Sequence, residues 1–559
     1  MHYYIKFSLR SMFFIMLLAL GACGVEEEPK DVFEKPSKDY EPLTNPYTSQ
    51  VSSYDTDRQT DQQKTEEEIQ EEFKEDTYTV NDPLVKIDPY DTSPLSALLM
   101  FETEEPMQVQ VTTGAEEGKP IKKMWDESQT THVIPVLGLF PDRENKVLVE
   151  LFDEGEKKEE AEVEMETEAL PDDFMDTEVV EANPEDMEEG LTFMVPTKGY
   201  TYAVDDEANV RWYSSLESRL VFTKLDNGHY LQTTRKEDEK QFNELLEIDM
   251  AGKIHHAYDI EVEGYDEDKN NLIHHDVIEV PSGNFLATMH EPNSDYEEDH
   301  MYEIDRKTGK TTQEISLREA MPEDAPDEYD GKNAEDNDWI HQNAIYYDEK
   351  DNSILVSGRS QDSILKLDYP SGEVQWILAA DEEWPEDYKD YVLDPVGDVK
   401  FPAGQHAMKI VETTNQPDQP AEKDIILFDN NEVFVRGDES ASKEYSQAIR
   451  YHIDEDEKTV EETWAYGKDR GKDFFSHIIG NVQYMYHTDN ILLNSGATDD
   501  DDSPTGTTGR VVEVDTSDDP EVIFELEVQG NDDGAPKYTY RTWRYPLYPE
   551  MEWEFQLEE

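Results

Sequence analysis

The chain has 559 residues, of which 134 are Asp or Glu and only 48 are Lys or Arg, so its formal net charge is −86. Such an acidic chain would repel phosphates, which excludes nucleic-acid binding. We interpret the charge as a solvated surface suited to a saline or alkaline medium. The single cysteine, Cys23, excludes an intramolecular disulfide and a cysteine-based metal site.

The first 23 residues have the pattern of an export signal. Lys6 and Arg10 form a basic start, and Met12–Leu20 is an apolar run too short to span a bilayer comfortably. The sequence LGAC that ends at Cys23 resembles a bacterial lipobox, which implies cleavage before this cysteine and lipidation of its thiol. We therefore predict a lipoprotein signal peptide over residues 1–22 and an extracytoplasmic protein anchored by lipid to a bacterial membrane. An ordinary secretory signal or a short anchor is the alternative.

The next segments differ in their apolar pattern. Residues 23–80 are acidic, contain much Pro, Ser, Thr and Gln, and lack an apolar period, which predicts a disordered acidic tether. Apolar and alternating stretches over residues 81–170 predict a small sandwich-like β domain. Its last stretch, Ala161–Glu168, alternates small or apolar residues with acidic or polar ones, as an edge strand with one wet face does. Residues 171–190 are predicted to form a charged linker.

From Leu191 the chain repeats a unit of short strands. Each unit has a polar or histidine-bearing start, an apolar strand, a turn, a second strand and a third strand that ends in Asp. Five units start near Val221, Ile273, Ile340, Gln405 and His477, and a sixth could combine Phe193–Trp212 with Tyr538–Tyr548. Sharing a sheet between the termini closes a ring and removes exposed edges. We predict an all-β protein with a six-bladed β-propeller over residues 191–559 and a small N-terminal β-sandwich-like domain, with seven blades as the alternative.

Histidines recur where the first strand of a unit begins. The starts of the first strands meet at one mouth of a propeller, so these side chains should be neighbours in space. They are His274 and His275, His341, His406 and His477. Arg359 follows a strand in the same unit as His341 and Asn343. A group of His and Arg side chains within such an acidic chain indicates a local site for an anionic ligand.

Five segments resemble the bacterial arylsulfate sulfotransferases. The most specific is IHQNAIYYDEKDNSILVSGRSQDSILKLD over residues 340–368, and the others are NNLIHHD at 270–276, GQHAMKI at 404–410, DPYDTSPLSALL at 88–99 and HVIPVLGLFPDRENKV at 132–147. The resemblance covers about residues 81 to 548. It implies a six-bladed propeller with an N-terminal β domain. It also implies an exported enzyme that moves a sulfuryl group from a phenolic sulfate ester to another phenol without a nucleotide sulfate donor.

The resemblance also implies roles for individual residues. His406 in GQHAMKI matches the family's nucleophile, His341 and Asn343 match the HQN motif, and Arg359 matches the arginine that follows SG. The remaining family histidine is His274 or His275. We prefer His274 as the catalytic residue, because it aligns with His341 when Asp276 aligns with Asn343, and we assign His275 with Asn343 and Arg359 to substrate binding.

These residues suit a ping-pong reaction through a sulfohistidine. A neutral imidazole can attack sulfur and hold the group, while the polar neighbours bind its oxygens. His274 or His341 could exchange the phenolic proton. The chemistry needs no metal ion and no cofactor. Two alternatives stay open, namely a non-catalytic propeller that binds a ligand or a protein and an arylsulfatase-type hydrolase. The sequence also leaves homodimer formation open.

Overall fold

The structure, a computed structural model, describes residues 51–551, 553 and 555, except residues 116–117, 237–238, 262–270, 292–293, 295, 323–336, 382–383, 412–420, 433–443, 500–505 and 530–537. Strands make up most of this part of the chain, which confirms the predicted all-β class. The predicted signal peptide, Cys23 and the first part of the predicted tether lie outside the described residues. Within the described part, no helix is long and apolar enough to cross a membrane.

The N-terminal part of the described chain contains one long helix and seven strands. In chain order they are β1 (Ser52–Asp55), α1 (Asp57–Glu75), β2 (Leu84–Ile87), β3 (Ser96–Thr113), β4 (Ile121–Leu137), β5 (Arg143–Asp153), β6 (Glu156–Thr167) and β7 (Asp176–Ala182). Strands β2 to β6 form the N-terminal sheet. In it, β4 pairs along one edge of β3, whereas β2 and β5 pair with the two halves of the other edge.

The rest of the chain is organised as short antiparallel strands. The strands are β8 (Leu191–Pro196), β9 (Gly199–Val204), β10 (Val210–Ser218), β11 (Phe222–Lys224), β12 (Tyr230–Thr234), β13 (Glu244–Ile248), β14 (Ile254–Ile260), β15 (Ile273–Glu279), β16 (Phe285–Met289), β17 (His300–Ile304), β18 (Thr311–Ser316), β19 (Gln342–Asp348), β20 (Ser353–Gly358), β21 (Ser363–Asp368), β22 (Val374–Leu378), β23 (Asp394–Pro395), β24 (His406–Val411), β25 (Glu422–Asp429), β26 (Gln447–Asp454), β27 (Thr459–Tyr466), β28 (Asn481–Tyr484), β29 (Ile491–Asp499), β30 (Thr507–Val514), β31 (Val522–Gln529) and β32 (Thr539–Tyr545). The short helices are α2 (Leu317–Ala320), α3 (Glu386–Lys389) and two 3-10 segments, Arg359–Gln361 and Lys468–Phe474.

These strands form six sheets, each built on four antiparallel strands. Sheet 1 is β8–β10 with β32, sheet 2 is β11–β14, sheet 3 is β15–β18, sheet 4 is β19–β22, sheet 5 is β24–β27 and sheet 6 is β28–β31. Sheets 2, 5 and 6 each gain a fifth strand, which is β1, β23 and β7 respectively. In sheet 1 the last strand of the chain, β32, pairs with β8, so the predicted sharing of one sheet by two distant segments is present.

Apolar clusters connect each sheet with the next one. Separate clusters join sheets 1 and 2, sheets 2 and 3, sheets 3 and 4, sheets 4 and 5, and sheets 5 and 6. A further cluster joins sheet 6 to sheet 1 and to the N-terminal sheet. Middle strands of sheets 2 to 4, such as β12, β16 and β20, are buried along their whole length because they pack between two neighbouring sheets.

The structure corrects the predicted tether over residues 51–80. Strand β1 pairs antiparallel with β14, and α1 buries Ile69 and Phe73 against apolar side chains of the N-terminal sheet, including Leu98. These two apolar residues lie four positions apart and so share one face of the helix. The acidic composition hides this narrow stripe, and for that reason the segment resembled a disordered tether.

The charged linker over residues 171–190 also needs correction. Its middle part forms β7, which pairs antiparallel with β31 at the outer edge of sheet 6. The exposed face of this strand carries Val180 and acidic residues. The strand is short and one of its faces is exposed to solvent, so it contains few apolar residues. For that reason the sequence indicated a linker, although the backbone adds a strand to sheet 6.

Candidate active site

The predicted site residues come from the first strands of sheets 3, 4 and 5. His274 and His275 lie on β15, Asn343 on β19 and His406 at the start of β24, while His341 immediately precedes β19. Strand β15 contacts β19, and β19 contacts β24. Arg359 begins the 3-10 segment after β20, and its backbone N–H donates to the carbonyl of His341 at 3.2 Å.

His406 has one defined tautomer. The Asn430 amide nitrogen donates to the carbonyls of Ser476 and Ile479, both at 2.8 Å, so the Asn430 oxygen must face His406. That oxygen lies 2.7 Å from His406 Nδ1, which therefore carries the hydrogen. The lone pair is left on Nε2, where it accepts a 3.2 Å hydrogen bond from the Ile479 N–H.

His406 is also held neutral. Its side chain is buried, and burial lowers the pKa of this imidazole well below its ordinary value. The positive charge of Arg359 acts in the same direction, whereas the hydrogen bond to Asn430 opposes it. A neutral imidazole with its lone pair on Nε2 is the form that can act as a nucleophile.

His341 has the opposite electrostatic environment. Its Nδ1 lies 2.8 Å from a Glu298 oxygen and 2.5 Å from an Asp338 oxygen. Burial opposes a charge on the ring, but the two carboxylates outweigh it and raise the pKa of His341 to about 9. At neutral pH, His406 is thus neutral and His341 is protonated, and the hydrogen on His341 Nε2 is available for donation.

The two consecutive histidines of β15 take different positions. The Nδ1 atoms of His274 and His275 lie 2.9 Å apart, so one ring donates to the other. The His275 ring lies 4.7 Å from that of His341, whereas the His274 ring lies 5.2 Å from that of His290. Burial lowers the pKa of both rings well below the ordinary value. The contact with His341 therefore belongs to His275, although alignment of the motifs favoured His274.

Asn343 and Arg359 present buried polar atoms toward this group. Asn343 donates to the backbone carbonyl of Gln405 at 2.8 Å, which ties the amide to the residue before His406. Within the described part of the chain, Arg359 Nε and Asn343 Oδ1 have no hydrogen-bond partner. A Glu432 carboxylate oxygen lies 3.9 Å from the Arg359 guanidinium, beyond hydrogen-bond distance. A buried guanidinium N–H without an acceptor is costly, and an anionic group would satisfy it.

Backbone strain concentrates at the same place. His341, Ala407, Ile479 and Leu220 have φ values of 51°, 40°, 54° and 64°, in a region that non-glycine residues rarely adopt. For the β-branched Ile479 this conformation is especially unfavourable. Its N–H nevertheless points at His406 Nε2, so the strained turn places a donor beside the nucleophilic atom.

Two overlapping groups of side chains also have donor atoms close enough to hold a metal ion. They are His274, His275 and Glu298, and Glu298, Asp338 and His341, with the donor atoms of each group within 4.8 Å of one another. In the second group, the ion pairs of His341 with both carboxylates explain why the donor atoms lie close together.

Sequence reasoning missed four residues that touch the predicted ones, namely Asn430, Glu298, Asp338 and Arg541. Arg541 on β32 contacts the Asp276 carboxylate at 2.7 Å and donates to the Asn343 carbonyl at 3.0 Å. Asp338 lies three residues before His341, and this short spacing was the one sequence feature that could have identified it. The other three are distant in sequence and reach the site only through the arrangement of the sheets.

Two family models and two curated relatives match most of this chain. The family described as Arylsulfotransferase (ASST) matches residues 176–541, and the Arylsulfotransferase Ig-like domain matches residues 84–168. The arylsulfate sulfotransferase AssT of Lelliottia amnigena is 25% identical over 535 residues, which cover 77% of this chain and 88% of that protein. AssT of Escherichia coli O6:H1 is 23% identical over 561 residues, covering 79% and 90%.

Similarity to solved structures is weak. The periplasmic gluconolactonase PpgL of Pseudomonas aeruginosa matches 77% of this chain and 97% of its own, at 9% identity and a TM-score of 0.32. This value is too low to support an argument about fold. The family matches together span most of the chain, including the N-terminal sheet and every predicted site residue except Cys23. The chain therefore belongs to the arylsulfotransferase family, as the five sequence segments indicated.

Proposed function

We propose that this arylsulfotransferase moves a sulfuryl group from a phenolic sulfate ester to a phenolic acceptor in two steps, through a sulfohistidine at His406. The observation that carries this proposal is the fixed tautomer of His406. Asn430 holds the hydrogen on Nδ1, burial keeps the ring neutral, and Nε2 retains a lone pair. A histidine used only for packing would not need a defined lone pair in a group of cationic side chains.

In the first step, His406 Nε2 attacks the sulfur and the bond between sulfur and the phenolic oxygen breaks. The electron pair of that bond leaves with the phenolate, which takes a proton from His341. The pKa of His341, about 9, is close to that of a phenol such as tyrosine, near 10, so proton transfer between them is nearly balanced. Phenol leaves, and the sulfuryl group remains on His406.

In the second step, the acceptor phenol gives its proton to neutral His341 and its oxygen attacks the sulfur. The bond to Nε2 breaks, which restores neutral His406 and protonated His341. Sulfuryl transfer resembles phosphoryl transfer in spreading charge over the peripheral oxygens. Arg359, with its unpartnered buried Nε–H, and the second amide hydrogen of Asn343 would bind those oxygens.

The six sheets support a six-bladed propeller as the scaffold of this site. Each sheet shares an apolar cluster with the next, and sheet 6 shares one with sheet 1, which is the packing that a closed ring of blades requires. The first strands β15, β19 and β24 then face the axis. This arrangement explains why histidines from three separate blades meet.

We further propose that the enzyme is exported and held at a bacterial membrane by lipid on Cys23. The export pattern of residues 1–22 and the lone cysteine at its end support this proposal. Fractionation of cells that produce the full chain tests it. We expect wild-type protein in the membrane fraction and Cys23→Ser protein in the soluble exported fraction, and equal distribution of the two would contradict the anchor.

The reaction is tested by the intact mass of the purified protein after brief mixing with an aryl sulfate and no acceptor. We expect a gain of one sulfuryl group that added phenol removes and that His406→Ala abolishes. Retention of the added mass in His406→Ala would show that another residue is the nucleophile. Absence of both the adduct and released phenol, across several donors, would contradict the proposed transfer.

A further inference from the structure

Arg219 is a further cation at the site. Arg219 lies in the connection between β10 and β11 and is exposed. Among the residues that the structure describes, none accepts a hydrogen bond from its guanidinium. Arg219 interacts electrostatically with Glu298, Tyr540 and His274, which places it at the site and not on the outer surface. In a chain with a net charge of −86, an arginine beside the reacting groups whose guanidinium donates to none of the described residues is available to bind an anionic ligand.

The residue after Arg219 belongs to an apolar cluster that borders the nucleophile. Leu220, Ile479 and Tyr540 pack together with Ala497, and the cluster extends to the half-buried Ile478 and Tyr538. Unlike the larger clusters, it is built mainly from connecting segments between strands. It touches the reacting groups at two points, because the Ile479 N–H donates to His406 Nε2 and the Tyr540 ring lies 5.9 Å from that of His275.

The cluster therefore adjoins both the reacting groups and Arg219. His406 and Ile479 are in contact at one end, and Leu220 connects the cluster directly to Arg219 at the other. An aromatic ring that packs on such a wall would have its phenolic oxygen at His406 and its far edge toward the guanidinium. Apolar and aromatic side chains supply the affinity for a ring, and an arginine binds a carboxylate in a defined direction.

We infer that Arg219 and the apolar cluster form a subsite for aryl groups that carry a second negative charge, such as a ring carboxylate. This inference rests on the proposed sulfuryl transfer and specifies its substrate class as carboxylated aryl sulfates and phenols. The charge of Glu298 does not oppose it, since that carboxylate is paired with His341 at 2.8 Å.

Equilibrium binding of 4-hydroxybenzoate and of the neutral 4-hydroxybenzamide tests the subsite without turnover. We expect the full-length enzyme to bind the carboxylate about 10-fold or more tightly than the amide, as a charge-assisted hydrogen bond would give. Arg219→Gln should remove this preference and leave amide binding unchanged. Arg219→Lys should retain part of it. Tyr538→Ala should weaken both ligands equally, because it removes ring contact and not charge.

Arg235→Gln is the matched control, because it removes the same charge from an arginine that is paired with Glu217 instead. Equal binding of carboxylate and amide by the wild type would overturn the inference, as would an equal loss in Arg219→Gln and Arg235→Gln. The ratio of kcat/KM for 4-carboxyphenyl sulfate and 4-carbamoylphenyl sulfate should follow the same order. A missing adduct on His406 would contradict the proposed transfer, whereas absence of the binding preference would contradict only the subsite.

Discussion

Asn430 holds His406 in the tautomer that leaves the ring's lone pair on Nε2. Its oxygen accepts the Nδ1 hydrogen at 2.7 Å, and its amide nitrogen is fixed by two carbonyl groups at 2.8 Å, so the amide has only one orientation that satisfies every partner. The carbonyls belong to Ser476 and Ile479. The segment before sheet 6 thus controls the tautomer of a residue on sheet 5.

Asn430→Ala should lower kcat for sulfuryl transfer by about 10- to 100-fold, the usual contribution of a partner that orients a functional imidazole. The KM for the donor should change little, because Asn430 contacts His406 Nδ1 and not Nε2. Nitrogen NMR of His406 should show a mixture of tautomers in place of one. Asn284→Ala is the control, since it removes an amide with similar hydrogen bonds at the opposite end of β15. A fall in activity with an unchanged His406 tautomer would argue against this role.

Glu298→Gln should shift the pH dependence of the first step. The two carboxylates raise the pKa of His341 from 6.5 to about 9, so the protonated acid is present up to about pH 9. Loss of one carboxylate should move the basic limb of phenol release to lower pH by about one pH unit or more. The effect should be large for phenyl sulfate and small for 4-nitrophenyl sulfate, whose leaving group needs less protonation. Equal effects on both donors would assign the proton to another group.

The same pKa difference predicts how stability varies with pH. Because the folded-state pKa of His341 lies above its unfolded value, its ion pairs stabilise the fold fully below about pH 6.5 and are lost as pH rises through about 9. The free energy of unfolding of the wild type, measured with urea, should therefore decrease between about pH 6.5 and about pH 9. Glu298→Gln should show a smaller change there. An identical slope in both proteins would indicate that His341 is not the titrating group.

Much of the site could be predicted from sequence because a meander has a regular geometry. Each unit places the start of its first strand at the same end, so His341 and His406 could be expected to meet although 65 positions separate them. Glu298 and Asn430 could not be predicted in this way. They lie in connections whose paths depend on the packing of neighbouring sheets, and an isolated Glu or Asn in an acidic chain carries no signal of its own.

The incorrect predictions of a tether and a linker have a related origin. Amino-acid composition is averaged over a segment, so it does not reveal a few apolar residues that pack the segment against the fold. Helix α1 is strongly acidic, but it packs through Ile69 and Phe73 and is also held by the Arg58–Glu244 ion pair. Strand β7 has few apolar residues, yet its backbone pairs with β31 along most of its length. Backbone hydrogen bonds at a sheet edge require no particular side chain, so sequence patterns detect such strands poorly.

Asp276→Ala should destabilise the fold by about 3–5 kcal/mol, because it leaves the Arg541 guanidinium buried without its counter-charge. This pair joins β15 of sheet 3 to β32, the strand that completes sheet 1. Urea denaturation measures the change. Arg541→Leu combined with Asp276→Ala should cost less than the sum of the two single changes, since neither charge is then left alone. Additive losses would show that the pair does not act as a unit.

Phe73→Ala tests whether α1 is part of the folded unit. The Phe73 ring stacks on Tyr78 at 5.6 Å and packs with Ile69 against the N-terminal sheet. Its removal should lower the free energy of unfolding by about 2 kcal/mol, less than in a deep core because the helix lies at the periphery. Glu71→Ala, on an exposed position of the same helix, should change it by no more than about 0.5 kcal/mol. A disordered tether would make both substitutions neutral, so a clear difference between them in urea unfolding separates a docked helix from a spacer.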